Sequence, residues 1–263
     1  TRPARPAGQR PTVQPERAGR LAGRLGPVLA EPRKARLVLV HLHVLALAPV
    51  PLDQLHLAFD LLGLGSGLLL GTLVALTPSG LDANHIPFEI DPSATAAAPH
   101  GTLLAHVARA NPVWRDLAAS VDALVIFQGP QAYITPTWYV ETKPAGGKVV
   151  PTWNYCVVHA HGPLLVRDDP AWLRGQLERL VRRHESTRPA PWHLSDAPAD
   201  FIEKQIAAIV GIEIPITRLT GKWKVSQNRS PADRAGVVGG LAVAPDRDAA
   251  AMAGLVQATL RQI

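Results

Sequence analysis

The 263 residues suffice for one large domain or two small ones with a sizeable core, and their one cysteine forms no internal disulfide. The net charge of +6 sits at one end: residues 1–36 hold nine Lys or Arg against two acids, and the rest of the chain comes to −1. A near-neutral body without a basic stripe argues against a dedicated nucleic-acid binder.

Residues 1–36, rich in Pro, Ala, Gly and Arg, read as a disordered basic leader, either a weak nucleic-acid tail or an extension without a partner. Residues 37–67 form a lead-in that periodicity leaves undecided between strand and buried helix over Leu37–Ala48, with a short helix expected over Pro51–Leu62. The apolar run Leu37–Val50 is too short for a membrane span, and Leu61–Leu76 is broken by Gly63, Gly65, Gly67 and Gly71. Neither reads as transmembrane. No stretch is laid out as a secretory signal, so the cytoplasm is the expected compartment.

From residue 68 the pattern is clearer. Leu68–Thr77 and Asp82–Ile90 are expected to form a hairpin through Pro78-Ser79-Gly80, with Gly80 free to take positive φ. Leu103–Arg109 is a third strand, after which Asn111 caps a short helix through Arg115–Ala118. Asp122–Phe127 is a fourth strand, ended by a turn at Gly129-Pro130, and Tyr133–Ile134 and Thr152–His161 continue the sheet. A helix runs from Asp169 or Pro170 to about Glu185, with Leu173, Leu177, Leu180, Val181 and His184 inward. Another falls within Phe201–Val210, and Ile209–Thr217 is a strand. Ser230-Pro231 marks a helix start, and Asp246–Gln262 closes the chain as a helix. Strands joined by short turns and followed by helices indicate an antiparallel barrel or an α+β layer arrangement.

The chemistry is densest in VVPTWNYCVVHAHG, residues 149–162. Strand alternation puts Trp153, Tyr155, Val157, His159 and His161 on one face, with Asn154, Cys156, Val158 and Ala160 on the other. Imidazoles beside indole and phenol suit either a wall for a flat, polar ligand or an interface strand with a satisfied polar network. Cys156 reads as a small buried hydrophobe. Asn84, His85, His106, Arg109, Asn111 and Arg115 form a second polar set, in which Arg109 could hold a phosphate by forked contacts or simply be solvated. His159, His161 and Asp168 or Asp169 lack a closed ligand pattern, so no metal is assigned. Lys222-Trp223-Lys224 and Ser226-Gln227-Asn228-Arg229 are a further polar–aromatic cluster, readable as flavin contacts or as a turn before a helix. There is no dinucleotide fingerprint, no persuasive serine triad and no helix-turn-helix.

The segments DANHIPFEID (82–91), LLAHVARANPVWRD (103–116), ALVIFQGPQAYITPTWY (123–139), VPTWNYCVVHAHG (150–162) and IVGIEIPITRLTGKWKVSQNRSPADRAGVVGGL (209–241) together resemble the PaiB family of FMN-binding negative transcriptional regulators. The resemblance covers most of residues 68–263 and departs upstream of them. It implies an α+β fold, a split β-barrel with peripheral helices, assembled as a homodimer with FMN near the interface. Carried over by position, it implies FMN contacts from His85, His106, Arg109, Asn111, Gln128, Trp153, Asn154, Ser226, Gln227 and Asn228. Arg109 and His106 would lie near the phosphate, with the amides near the polar edge of the isoalloxazine. The family implies gene repression, with DNA as a partner; a flavin-dependent oxidoreductase and a cofactor-free structural dimer are the alternatives.

Overall fold

The computed structural model describes residues 48–49, 69–115 and 121–260. The expectations for residues 1–36, for most of 37–67 and for 116–118 fall outside them. The described residues form nine strands: β1 Ala48–Pro49, β2 Leu69–Thr77, β3 Gly80–Asp91, β4 Thr102–Ala108, β5 Ala123–Ile134, β6 Thr152–Gly162, β7 Leu165–Arg167, β8 Ile209–Pro215 and β9 Arg218–Lys224. Four α-helices accompany them among these residues: α1 Pro170–Glu185, α2 Ala199–Ala207, α3 Pro231–Ala242 and α4 Ala249–Leu260.

The expected hairpin forms the centre. Gly80 takes φ +115° at its turn, and β2 and β3 pair antiparallel from Leu69↔Phe88 to Thr77↔Gly80. The last three residues of β3 leave β2 and pair with β4. This long strand therefore hands one sheet on to the next, giving the antiparallel order β1-β9-β6-β5-β2-β3-β4-β8-β7. The two ends of this order are drawn together through the link between β8 and β9. Ile216 donates to the Gly101 carbonyl, and Thr217 donates to that of His161. At Gly162 a Cβ would lie 1.9 Å from the Pro215 carbonyl oxygen, so only glycine permits the approach. The result is a split β-barrel with helices on its outside, an α+β fold.

The barrel is filled by the alternate, inward residues of its strands. Leu73, Phe88, Leu103, Val125, Phe127, Val158, Ile212 and Ile214 are fully buried, and the rings of Phe88 and Phe127 meet edge to face at 6.0 Å. A smaller cluster of Leu173, Ile202 and Ile206 joins α1 and α2. Trp172 lies against Gly211 of β8. Both foreseen helix starts are present: Asp169 accepts from the Ala171 amide, Ser230 accepts from the Asp233 amide, and each is followed by proline. Among the described residues no helix is long and apolar enough to cross a membrane.

The expected helix within Phe201–Val210 is α2, which ends at Ala207 because Ile209 and Val210 already pair in β8. Three expectations are corrected. Gly129-Pro130 does not end a strand. It shifts the register within a continuous β5, where a bulge accommodates a proline that cannot donate to the ladder. Arg218–Lys224 is a strand that the sequence reading did not assign. On α1, His184 is exposed and Gln176 is buried instead.

Candidate functional site

The alternation expected along β6 is present. Asn154, Cys156, Val158 and Ala160 are buried in the barrel, while Trp153, Tyr155, Val157, His159 and His161 lie on the outer face, each partly accessible. The neighbouring strands complete that face. Ladder pairing sets Tyr133, Gln131, Gln128, Ile126 and Leu124 of β5 opposite Trp153, Tyr155, Val157, His159 and His161 in turn. On the other side β9 sets Lys224, Lys222, Thr220 and Arg218 opposite Tyr155, Val157, His159 and His161. An aromatic and imidazole stripe thus runs between an amide stripe and a cationic one.

A groove of about 330 Å³ lies over this face, lined by Gln128, Gln131, Trp153, Tyr155 and His159 among others. Its aromatic end is braced internally. The Trp153 indole donates to Gln131 Oε1 at 3.1 Å, and the Trp153 and Tyr133 rings meet at 6.2 Å. The Lys222 ammonium stands 5.7 Å from the Tyr155 ring centre, and Lys224 donates to Thr152 Oγ1 at 2.5 Å.

At the other end Arg218 donates to His161 Nδ1 at 2.9 Å. A guanidinium only donates, so His161 is the neutral tautomer carrying its proton on Nε2. Burial and then the Arg218 charge hold both His159 and His161 below the usual imidazole range; for His161 the His159 charge adds to this and Asp122 opposes it. Thr220 Oγ1, on β9 opposite His159, is buried without a hydrogen-bond partner. Cys156 also borders the groove, and burial pushes its thiol up to about 12, so it offers no thiolate.

The expected cofactor contacts fall into separate groups. Gln128 and Trp153 line the groove. His85 is exposed on the same sheet face, opposite Thr72, which in turn opposes Ile126 and through it His159. Asn154 is on the inner face, donating to Ser226 Oγ at 2.9 Å, and both are buried. Ser226 turns the chain with φ +61°, while Gln227 accepts from the Val225 amide and donates to the Trp223 carbonyl. Asn228 is exposed on that turn. Asn111 caps the turn Pro112–Trp114, as expected, and donates to Asn84 Oδ1.

His106 and Arg109 do not join the groove. His106 Nδ1 lies 2.9 Å from Gln176 Oε1 of α1. Arg109 forks onto Asp168, donates to the carbonyls of Ala207 and Ile209, and so ties β4 to the starts of α1 and β8. The forked contacts expected to take a phosphate are made by Arg109 to a carboxylate of its own chain. Asp168 is likewise engaged and Asp169 caps α1, so neither turns towards His159 and His161.

The sequence reading passed over Arg218, Lys222 and Lys224 as one stripe. The signal was present as R-x-T-x-K-x-K in steps of two, but the tract was divided between a strand ending at Thr217 and a turn. This donor set fits FMN: aromatic faces for a flat ring, side-chain amides at its border, and bases with a partnerless hydroxyl for an anionic tail. Trp153, Tyr155, Gln128, Gln131 and the β9 bases would hold it, and the bound flavin would supply reversible one- or two-electron chemistry.

The family match agrees with this chemistry. Residues 66–218 match the family described as "Putative FMN-binding domain". The "Protease synthase and sporulation protein PAI 2" of Bacillus subtilis is 31% identical over 194 residues, covering 73% of this chain and 87% of that protein. An uncharacterized protein of Emericella nidulans, AN0679, is 37% identical over 187 residues, 61% of this chain and 74% of its own. Among solved structures, the FAD and heme binding protein from Mycobacterium smegmatis aligns with a TM-score of 0.42 at 18% identity, over 63% of this chain and 68% of that one. The flavocytochrome Anf3 from Azotobacter vinelandii gives 0.42 at 12% identity, over 62% and 66%. With the domain match spanning more than half of its length, the chain belongs to the PaiB-like family of FMN-binding proteins, and its cofactor is FMN.

Proposed function

We propose that this protein is a homodimeric FMN-dependent negative regulator of transcription that holds its flavin over the outer face of β5, β6 and β9. The observation that carries the flavin placement is the three-stripe face, in which Trp153 and Tyr155 stand between Gln128 and Gln131 on one strand and Lys222 and Lys224 on the other. The regulatory part rests on family membership. The described helices offer no reader helix, so DNA contact, if direct, falls to the +7 leader, and its affinity falls steeply with salt.

The first test is FMN titration of Trp153→Ala by flavin fluorescence. Loss of an aromatic contact worth about 0.5–1.5 kcal/mol weakens binding about 2–12-fold. Unchanged affinity removes the ring from this wall. The second compares binding to duplexes from the gene's own upstream region and to random duplexes, with and without FMN, using the full chain and one lacking residues 1–36. Sequence-selective binding that responds to FMN supports regulation; binding to neither duplex removes direct regulation.

One observation favours an oxidoreductase as the second reading: His159 lines the groove with His161 two residues along the same face, and burial and the Arg218 charge favour the neutral, proton-accepting form of both imidazoles. Oxidation of reduced nicotinamide by the FMN-loaded protein separates that reading from a passive flavin binder.

A further inference from the structure

We propose that Arg218, Thr220, His159 and His161 form an oxyanion subsite at the end of the groove, one that binds more tightly as its imidazoles take up protons. The proposal rests on the flavin groove for its setting, but the subsite is defined by its own donors. Two adjacent cross-strand pairs bring the four together, His161↔Arg218 and His159↔Thr220, all on the outer face of β6 and β9.

Arg218 and Thr220 are the donors suited to an anion. Arg218 is exposed, and among the described residues no carboxylate forms an ion pair with it; its one side-chain hydrogen bond goes to His161. Thr220 is 8% exposed and its hydroxyl has no partner, a condition that native proteins seldom leave unfilled. An oxyanion set against Arg218 accepts from the guanidinium in the charge-assisted manner that suits phosphate, and Thr220, at the next position of β9 on that face, adds a hydroxyl donor.

The proton dependence follows from the Arg218–His161 contact. Protonation of Nδ1 removes the acceptor lone pair and sets two cations 2.9 Å apart. A bound dianion turns that repulsion into attraction on both sides. By linkage, the anion raises the imidazole pKa values, and falling pH raises the anion's affinity. The charged and titratable groups around the pair are few. β9 supplies Arg218 and, one step along, Lys222; Asp122 lies just before β5 and accepts from Thr217. Towards β2 and β3 the facing positions are Leu124 and Ile126, then Val74 and Thr72, and then His85. On the far side Pro49 of β1 opposes Thr220. Among the described residues Asp122 is the one carboxylate near the pair, and it favours protonation of His161.

The ligand is an oxyanion of the phosphate type, either the phosphate of FMN itself or the anionic group of a second ligand. Inorganic sulfate is the probe, because it keeps its double charge between pH 5 and pH 8 while a phosphate monoester titrates near pH 6. Calorimetric titration of the flavin-free full chain should show sulfate binding several-fold tighter at pH 5.5 than at pH 7.5. Arg218→Gln should weaken it at least about tenfold at both pH values, whereas H161Q should retain binding and flatten the pH dependence. Thr220→Val should weaken it and Thr220→Ser restore it. Histidine NMR should show sulfate raising the imidazole pKa values.

Sulfate that competes with FMN but not with riboflavin identifies the flavin phosphate as the occupant. Sulfate that binds the FMN-loaded protein undiminished identifies a second ligand. The proposal is overturned if folded wild-type protein binds no sulfate, or if folded Arg218→Gln binds it equally well. Failure of the flavin placement reads differently, as unchanged FMN affinity in Trp153→Ala with the sulfate results intact.

Discussion

Asp233 shows how one buried charge organises a stretch of irregular chain. It is fully buried at the first turn of α3, and its carboxylate accepts from the amides of Glu141 and Thr142 and from the Thr142 hydroxyl. Burial by itself raises its pKa, but the Thr142 hydroxyl, the two amides and the Arg229 charge outweigh burial and hold the carboxyl below the usual range. Asp233→Ala leaves those amides unpaired and should cost about 1–3 kcal/mol in urea unfolding. A folded pKa below the unfolded value of about 3.9 means that this stabilisation is complete above that value and is lost as pH falls through the folded pKa. Acid unfolding below about pH 4 should therefore be shallower in Asp233→Asn than in wild type. The sequence shows Asp233 only as an acid three residues after a capping serine; its loop partners, 91 and 92 residues away, have no local signature. Arg109 carries the same lesson. Its motif suits a phosphate, and only the fold brings Asp168 to it. Arg109→Ala should lower the melting temperature and leave the preference for FMN over riboflavin unchanged; a loss of that preference would restore the phosphate role.

The elements differ in how much of them was legible. β6 announces itself because the period of two separates Asn154, Cys156, Val158 and Ala160 from Trp153, Tyr155 and the histidines without knowledge of any partner strand. β9 is hidden because its inward positions, Leu219, Gly221 and Trp223, alternate with Arg218, Thr220, Lys222 and Lys224, and one glycine with two lysines resembles a loop. The glycines of α3 were equally unreadable. Gly236 and Gly240 lie one turn apart facing the segment Pro136–Trp138, and a Cβ at Gly240 would stand 2.2–2.4 Å from atoms of the Trp138 ring. In a solvent-facing helix, glycine to alanine is favourable by roughly 1 kcal/mol. Here the ring has to move, so Gly240→Ala should destabilise, by about 1–3 kcal/mol in chemical unfolding. Gly239, with nothing within 4 Å of its built Cβ, serves as the control, and Gly239→Ala should be neutral or stabilising. A stabilised Gly240→Ala would show that Trp138 is not held against α3.

For the whole molecule, the outer face of β2 and β3 sets the question of assembly. Leu70 is 67% exposed and Leu81 80%, with Leu76 less so, on a face they share with Thr72 and His85. Exposed leucines gathered on one sheet face suit a second protein surface. A second copy of the chain is the simplest occupant: a two-fold axis through the face buries each leucine twice and brings His85 towards the partner's groove. Light scattering at micromolar concentration should give twice the 28.1 kDa of one chain. Leu81→Glu places two carboxylates in the interface and forfeits about 1.5–3 kcal/mol of burial at each, enough to shift the mass to that of a monomer. Flavin affinity then decides what the partner contributes. If FMN binding is lost together with the dimer, the groove is completed across the axis; if it persists in the folded Leu81→Glu monomer, Trp153, Tyr155 and the β9 bases suffice. A wild-type chain that is folded and monomeric across dilution would leave Leu70 and Leu81 exposed to water and remove the dimer altogether.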